Sequence, residues 1–226
     1  MSIPQSDIAL KALEAHYRVR LEYILFPLEY RELRDILAKN GYELSLLPAP
    51  IPPRPSRISY SGDIARKGEY TVNVDSDLGT VGISGKSMGM VIAAFEELTK
   101  VIKEGLGIDL NENVCYFEII AHYNIDTGKK PVQEIDRVIE GNPYFPKFNK
   151  IIGEPTSLFS IRLMPRGKIP NQEEWFDISV EPDILKSELY HIGVIYRNPK
   201  KEKTLNFASN LEKTLVNLVK AIEGEE

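Results

Sequence analysis

The chain has 226 residues, 42% of them hydrophobic and 27% charged, with a formal net charge of -5. That balance excludes collagen-like, low-complexity and intrinsically disordered classes, and a chain of this length can bury a substantial core without covalent staples. A single cysteine, Cys115, excludes an internal disulfide and any multi-cysteine zinc site, and three histidines (His16, His122, His191) leave little for an imidazole metal centre, so no cofactor or metal is expected.

In chain order, Asp7 to Tyr17 has the spacing of a short helix, and residues 18–26 alternate as a strand closed by Pro27. Leu28 to Lys39 carries a helical apolar stripe (Leu33, Ile36, Leu37), and Asn40-Gly41 supplies its left-handed stop. Five prolines between 48 and 55 fix an extended connection that cannot join a sheet. Strands are expected over 57–64 and twice within 69–84, with turns at 65–68 and 75–79, forming a three-stranded meander. The strongest helical periodicity of this half follows at 87–104, where Met88, Val91, Ile92, Phe95, Leu98, Val101 and Ile102 share one side.

Residues 114–125 alternate cleanly and predict a long strand at the centre of a twisted sheet, with Tyr116, Glu118 and His122 on its polar face. Pro131 to Glu140 fits a short helix, whereas 141–146, with two prolines, is incompatible with one. Strands at 158–164, 174–181 and 189–197 then lead to a helix at 205–222. The fold class is therefore α+β, mainly antiparallel, with long amphipathic helices packed on one sheet face. The repeated order of strands followed by a long helix suggests a two-lobe βββα arrangement, residues 1–130 and 131–226. Two closely packed lobes are preferred over one continuous sheet.

Several strings suggest chemistry. Gly79 to Ser87 has the flavour of a phosphate loop, but its glycine spacing fails that motif; Lys86 and Ser87 at a helix start keep only a modest anion affinity. Asp75 and Asp77 fit a turn better than a calcium loop. Cys115 reads as buried filler. Glu118 and His122 lie four apart on one strand, about 13 Å, too far to share a proton.

Helices on one face leave the other open, and Tyr116, Glu118, His122, Arg162, Trp175, Asp177, Tyr190 and Ile192 are assigned to it. With Arg166 in the adjoining loop, these aromatics and arginines suit a protein interface. A non-catalytic protein-binding or assembly module, acting as a homodimer or with a protein partner, is the leading expectation. An enzyme with a site assembled from His and carboxylates is the alternative, and weak single-stranded nucleic-acid binding the second, disfavoured because neither half is basic. The N-terminus lacks a signal peptide's basic and apolar regions, and no window reaches 18 apolar residues, so a cytoplasmic protein without membrane contact is expected. The Ile-rich, Gln-poor composition is compatible with a thermophile.

Overall fold

A computed structural model describes residues 8–46, 59–170 and 172–225; the proline cluster at 48–55 lies outside them. In chain order the described elements are β1 (Ala9–Leu21), α1 (Tyr30–Lys39), β2 (Glu43–Leu44), β3 (Ser61–Lys67), β4 (Tyr70–Asp75), β5 (Thr80–Gly85) and α2 (Met88–Leu106). There follow β6 (Val114–Asp126), α3 (Pro131–Arg137), α4 (Phe145–Ile152), β7 (Ile161–Leu163), β8 (Trp175–Pro182), β9 (Tyr190–Asn198) and α5 (Lys201–Ile222). The strands form one nine-stranded sheet in the order β2-β3-β4-β5-β1-β6-β9-β8-β7, antiparallel throughout. The strands of the two flanks therefore join across β1, β6 and β9 in a single sheet, rather than forming two separate ones.

One face of this sheet is the core. Ala15, Tyr17 and Val19 of β1 lie in register with Ala121, Ile119 and Phe117 of β6, and those in turn with Val194, Tyr196 and Asn198 of β9. The side-chain period of two puts all of them on the same side. Helix α2 covers β1 and β5, and α5 covers β6 and β9. The ring of Tyr17 meets Phe95 of α2 edge-on at 4.9 Å, and Tyr196 stacks on Phe207 of α5 at 4.0 Å. Both long helices thus cover the same face. Helix α2 begins where the Ser87 hydroxyl accepts from the Met90 amide and ends at Gly107, whose φ of 70° suits glycine alone.

Four local expectations are corrected. Of the segment expected as a helix over 7–17, Ala9 onward is β1, which runs to Leu21, and 22–26 is not strand; residue 7 lies outside the described residues. A bulge between Ala12 and Glu14 interrupts the alternation, so the apolar residues before it fall out of step with Ala15 and Tyr17 and imitate helical spacing. Strand β3 continues through Ala65 to Lys67, and only Gly68-Glu69 turns. Helix α4 forms where prolines argued against one, because Pro146 falls in its first turn, where a missing amide hydrogen costs nothing. Helix α5 starts at Lys201, a turn earlier than its apolar stripe.

Candidate functional site

The second face of the sheet carries none of the long helices, and its two ends differ. Towards one end, Arg18 of β1 and Arg197 of β9 both donate from Nε to the carboxylate of Glu118, on β6 between them, which is fully buried. Register enforces this: Arg18 pairs across from Glu118 and Glu118 from Arg197. The guanidinium groups of Arg20 and Arg197 lie 5.8 and 5.1 Å from the centre of the Tyr116 ring. Arg197 also donates from Nη1 to the Pro170 carbonyl at 2.8 Å, which ties the loop before β8 over this end. Trp175, opposite Arg197, is only 4% exposed. Arg162 of β7 donates from Nε to Asp177 of β8 at 2.8 Å. Half-exposed Ile120 and Ile195 face each other in the middle of the sheet.

At the other end lie all three histidines of the chain. The bulge in β1 brings Leu13 and Glu14 to an open cleft of about 640 Å³, which is also lined by Arg66, Lys86, His122 and His191. His122 and His191 stack with centroids 5.5 Å apart, and His122 Nδ1 lies 3.4 Å from His191 Nε2. His191 Nδ1 is 3.1 Å from the Asn124 side-chain oxygen, and Asn124 Nδ2 donates to Asp183 at 2.8 Å. Gly193 faces His122 across the strands; a side chain there would meet Ser179 Oγ at 2.9 Å and the His122 ring at 3.6 Å. His16 Nε2 contacts the Glu14 carboxylate at 2.9 Å. Burial first, and the neighbouring His191 second, hold the His122 pKa below its ordinary value.

The chemistry within reach is limited. Ser84 Oγ shares a hydrogen bond with Thr71 at 2.6 Å and accepts from Asn73, with no contact to either cleft histidine. Ser61 and Thr127 donate to the carboxylates of Asp75 and Glu223, neither of which lines the cleft, and among the described residues no three His, Cys, Asp or Glu side chains could together hold a metal ion. Gly79 to Ser87 runs through β5, so the phosphate-loop resemblance ends in a strand. Asp75 Oδ1 accepts from the Asp77 and Leu78 amides, which makes it a turn residue. Cys115 is half-buried beside the irregular end of the β1–β6 pairing, not fully packed away.

The residues assigned from sequence divide. Tyr116, Glu118, His122, Arg162, Trp175 and Asp177 do lie on the helix-free side. Tyr190 and Ile192 do not: they pair with Ile125 and Tyr123 and are fully buried in the core, and Tyr190 donates to Glu223 at 3.1 Å. Tyr116 and Trp175 are buried rather than exposed anchors, Tyr116 under the guanidinium groups of Arg20 and Arg197 and Trp175 opposite Arg197. Arg166 is exposed in the 165–174 loop, and Lys86 is exposed at the cleft. Sequence reading missed Arg18, Arg197, Glu14 and His191 as members of these clusters. Alternation placed Arg18 on a polar face and grouped His191 with Leu189 and Ile195 as partly buried, but only strand pairing says which residues become neighbours. No known family model matches the chain, and no curated protein is significantly similar to it.

Proposed function

We propose that this protein is a non-catalytic assembly module that docks an acidic protein surface on the arginine end of its helix-free sheet face. The observation that carries this reading is the clustering of Arg18 and Arg197 on one buried carboxylate, Glu118, with Arg20 beside them over the Tyr116 ring. Among the described residues Arg20 has no carboxylate salt-bridge partner, so it offers a guanidinium to an acidic group in a chain of net charge -5. Hydrogen bonds and ring contacts hold Arg18 and Arg197 in place, so little side-chain entropy remains to be lost on docking. Ile120 and Ile195 add an apolar strip beside the arginines, and arginine with aromatic support is the usual composition of an interface anchor.

The chain's net charge of -5 makes a second copy the simplest acidic partner, and we read the protein as a homodimer in which an acidic surface of the partner, not its arginine end, meets this face. The two flanks, each a run of antiparallel strands leading into one long helix, form the scaffold that keeps the face flat and open. Light scattering coupled to size-exclusion chromatography tests the reading on the full chain. A dimer is expected at micromolar concentration, weakened by salt because the contact is ionic, and lost in Arg20→Glu. Arg20 is exposed, so that change leaves the fold intact. A monomer at every salt concentration overturns the proposal.

A further inference from the structure

The histidine end of the face lies outside that docking surface and has chemistry of its own. Its polar side chains form a directed chain. Asp183 is held ionised by the hydrogen bond from Asn124 and by the amides of Lys186 and Leu185, so it only accepts. Asn124 therefore turns its Nδ2 to Asp183 and its oxygen to His191 Nδ1. An amide oxygen only accepts, so the proton of neutral His191 is on Nδ1 and its Nε2 is a lone pair. That lone pair faces His122 Nδ1, which must then carry the proton of the His122 ring. The chain ends at His122 Nε2, a lone pair with no hydrogen-bond partner among the described residues, on a ring that lines the cleft.

Across the β1–β6 pairing, Glu14 is directly opposite His122. One Glu14 oxygen contacts His16 at 2.9 Å, and the other is without a hydrogen-bond partner among the described residues. The carboxylates lining the cleft (Glu14, Asp63, Glu69) outnumber its fixed cations (Arg66, Lys86). A primary ammonium has three donors and no acceptor, the complement of a lone pair beside a carboxylate. We propose that the cleft binds a primary ammonium group, which donates to His122 Nε2 and to the free oxygen of Glu14.

Nitrogen-15 NMR of the full chain tests this, with ethylammonium as probe and inorganic phosphate and acetate as controls. His122 should report the neutral Nδ1–H tautomer, and ethylammonium should move its Nε2 resonance saturably while the anions leave it unmoved. Glu14→Gln, read at the same resonance, and His122→Phe, read by the shift of the His191 ring nitrogens, should each weaken that binding about tenfold, as expected for a lost hydrogen bond to a charged group. Asn124→Leu should release the tautomer and weaken binding less. Glu14 is exposed, so its variant keeps the test decisive if His122→Phe unfolds. An Nε2–H tautomer, no response to the amine, a response to the anions, or unchanged affinity in Glu14→Gln overturns the proposal.

Discussion

The two ends of the helix-free face are made from the same kind of material, polar side chains on neighbouring strands, yet they are finished differently. At the arginine end the charges close on one another: Glu118 is consumed by Arg18 and Arg197, and Arg197 is braced further by the Pro170 carbonyl and the Tyr116 ring. At the histidine end the hydrogen bonds run in one direction, from His122 through His191 and Asn124 to Asp183, and leave an unused lone pair at the start. A closed network fixes shape and charge, whereas an open one leaves a valence for a ligand. The contrast predicts that damage at the arginine end costs stability and damage at the histidine end changes mainly protonation.

The largest effect should come from Glu118→Leu, which strands two partly buried guanidiniums. Removing one partner of a buried ionic cluster costs about 3 kcal/mol, and urea unfolding should show it. Glu14→Gln at the other end should stay within about 0.5 kcal/mol, as exposed substitutions do. If the two variants lose equal stability, the contrast fails.

Gly82→Ala comes next. A Cβ there would stand 2.8 Å from the Tyr17 carbonyl oxygen and 2.9 Å from Arg18 Cα, both backbone atoms that cannot swing aside. The β1–β5 pairing must open, at roughly 2 kcal/mol, measurable in the same unfolding experiment.

The pH response should belong to the histidine end. The His122 pKa lies below the ordinary 6.5 because burial and His191 disfavour its charge, with His16 adding to this and Glu14 opposing it. Above that ordinary value the ring is neutral folded and unfolded, and contributes nothing to the pH dependence. As pH falls through 6.5 the unfolded chain takes the proton first, so stability declines until pH passes the folded value and then levels. Thermal midpoints across that window should fall less steeply in His122→Asn than in the wild type; parallel curves would remove His122 from the account.

Gly193→Ala should have a smaller effect than Gly82→Ala. Its closest neighbour would be Ser179 Oγ at 2.9 Å, a hydroxyl that can rotate away, so stability should change by less than about 1 kcal/mol. The displaced His122 ring should nevertheless shift in NMR.

The legible parts of this molecule were those with an uninterrupted period. Met88 to Ile102 and Cys115 to Ile125 repeat cleanly, and α2 and β6 stand within two residues of their expected bounds. Strand β1 was misread because the bulge at Leu13 breaks its alternation, and the same bulge delivers Glu14 to the cleft. Tyr190 and Ile192 were set on the wrong side, because β9 alternates with apolar residues on both faces and its period alone does not say which one is covered. What no periodicity holds is which strand lies beside which. Glu118 meets Arg18 and Arg197 across 100 and 79 residues of chain, and His122 meets His191 across 69, through a strand order that sequence left open.

The central claim is that the arginine end is a docking surface for an acidic partner, a second copy first of all. Its most direct test is the solution mass of the full chain in low and high salt, beside Arg20→Glu. A dimer mass at low salt that falls towards the monomer in high salt, and is absent in the variant, is the predicted result. A monomer mass under every condition, or a dimer indifferent to both salt and Arg20→Glu, would contradict it.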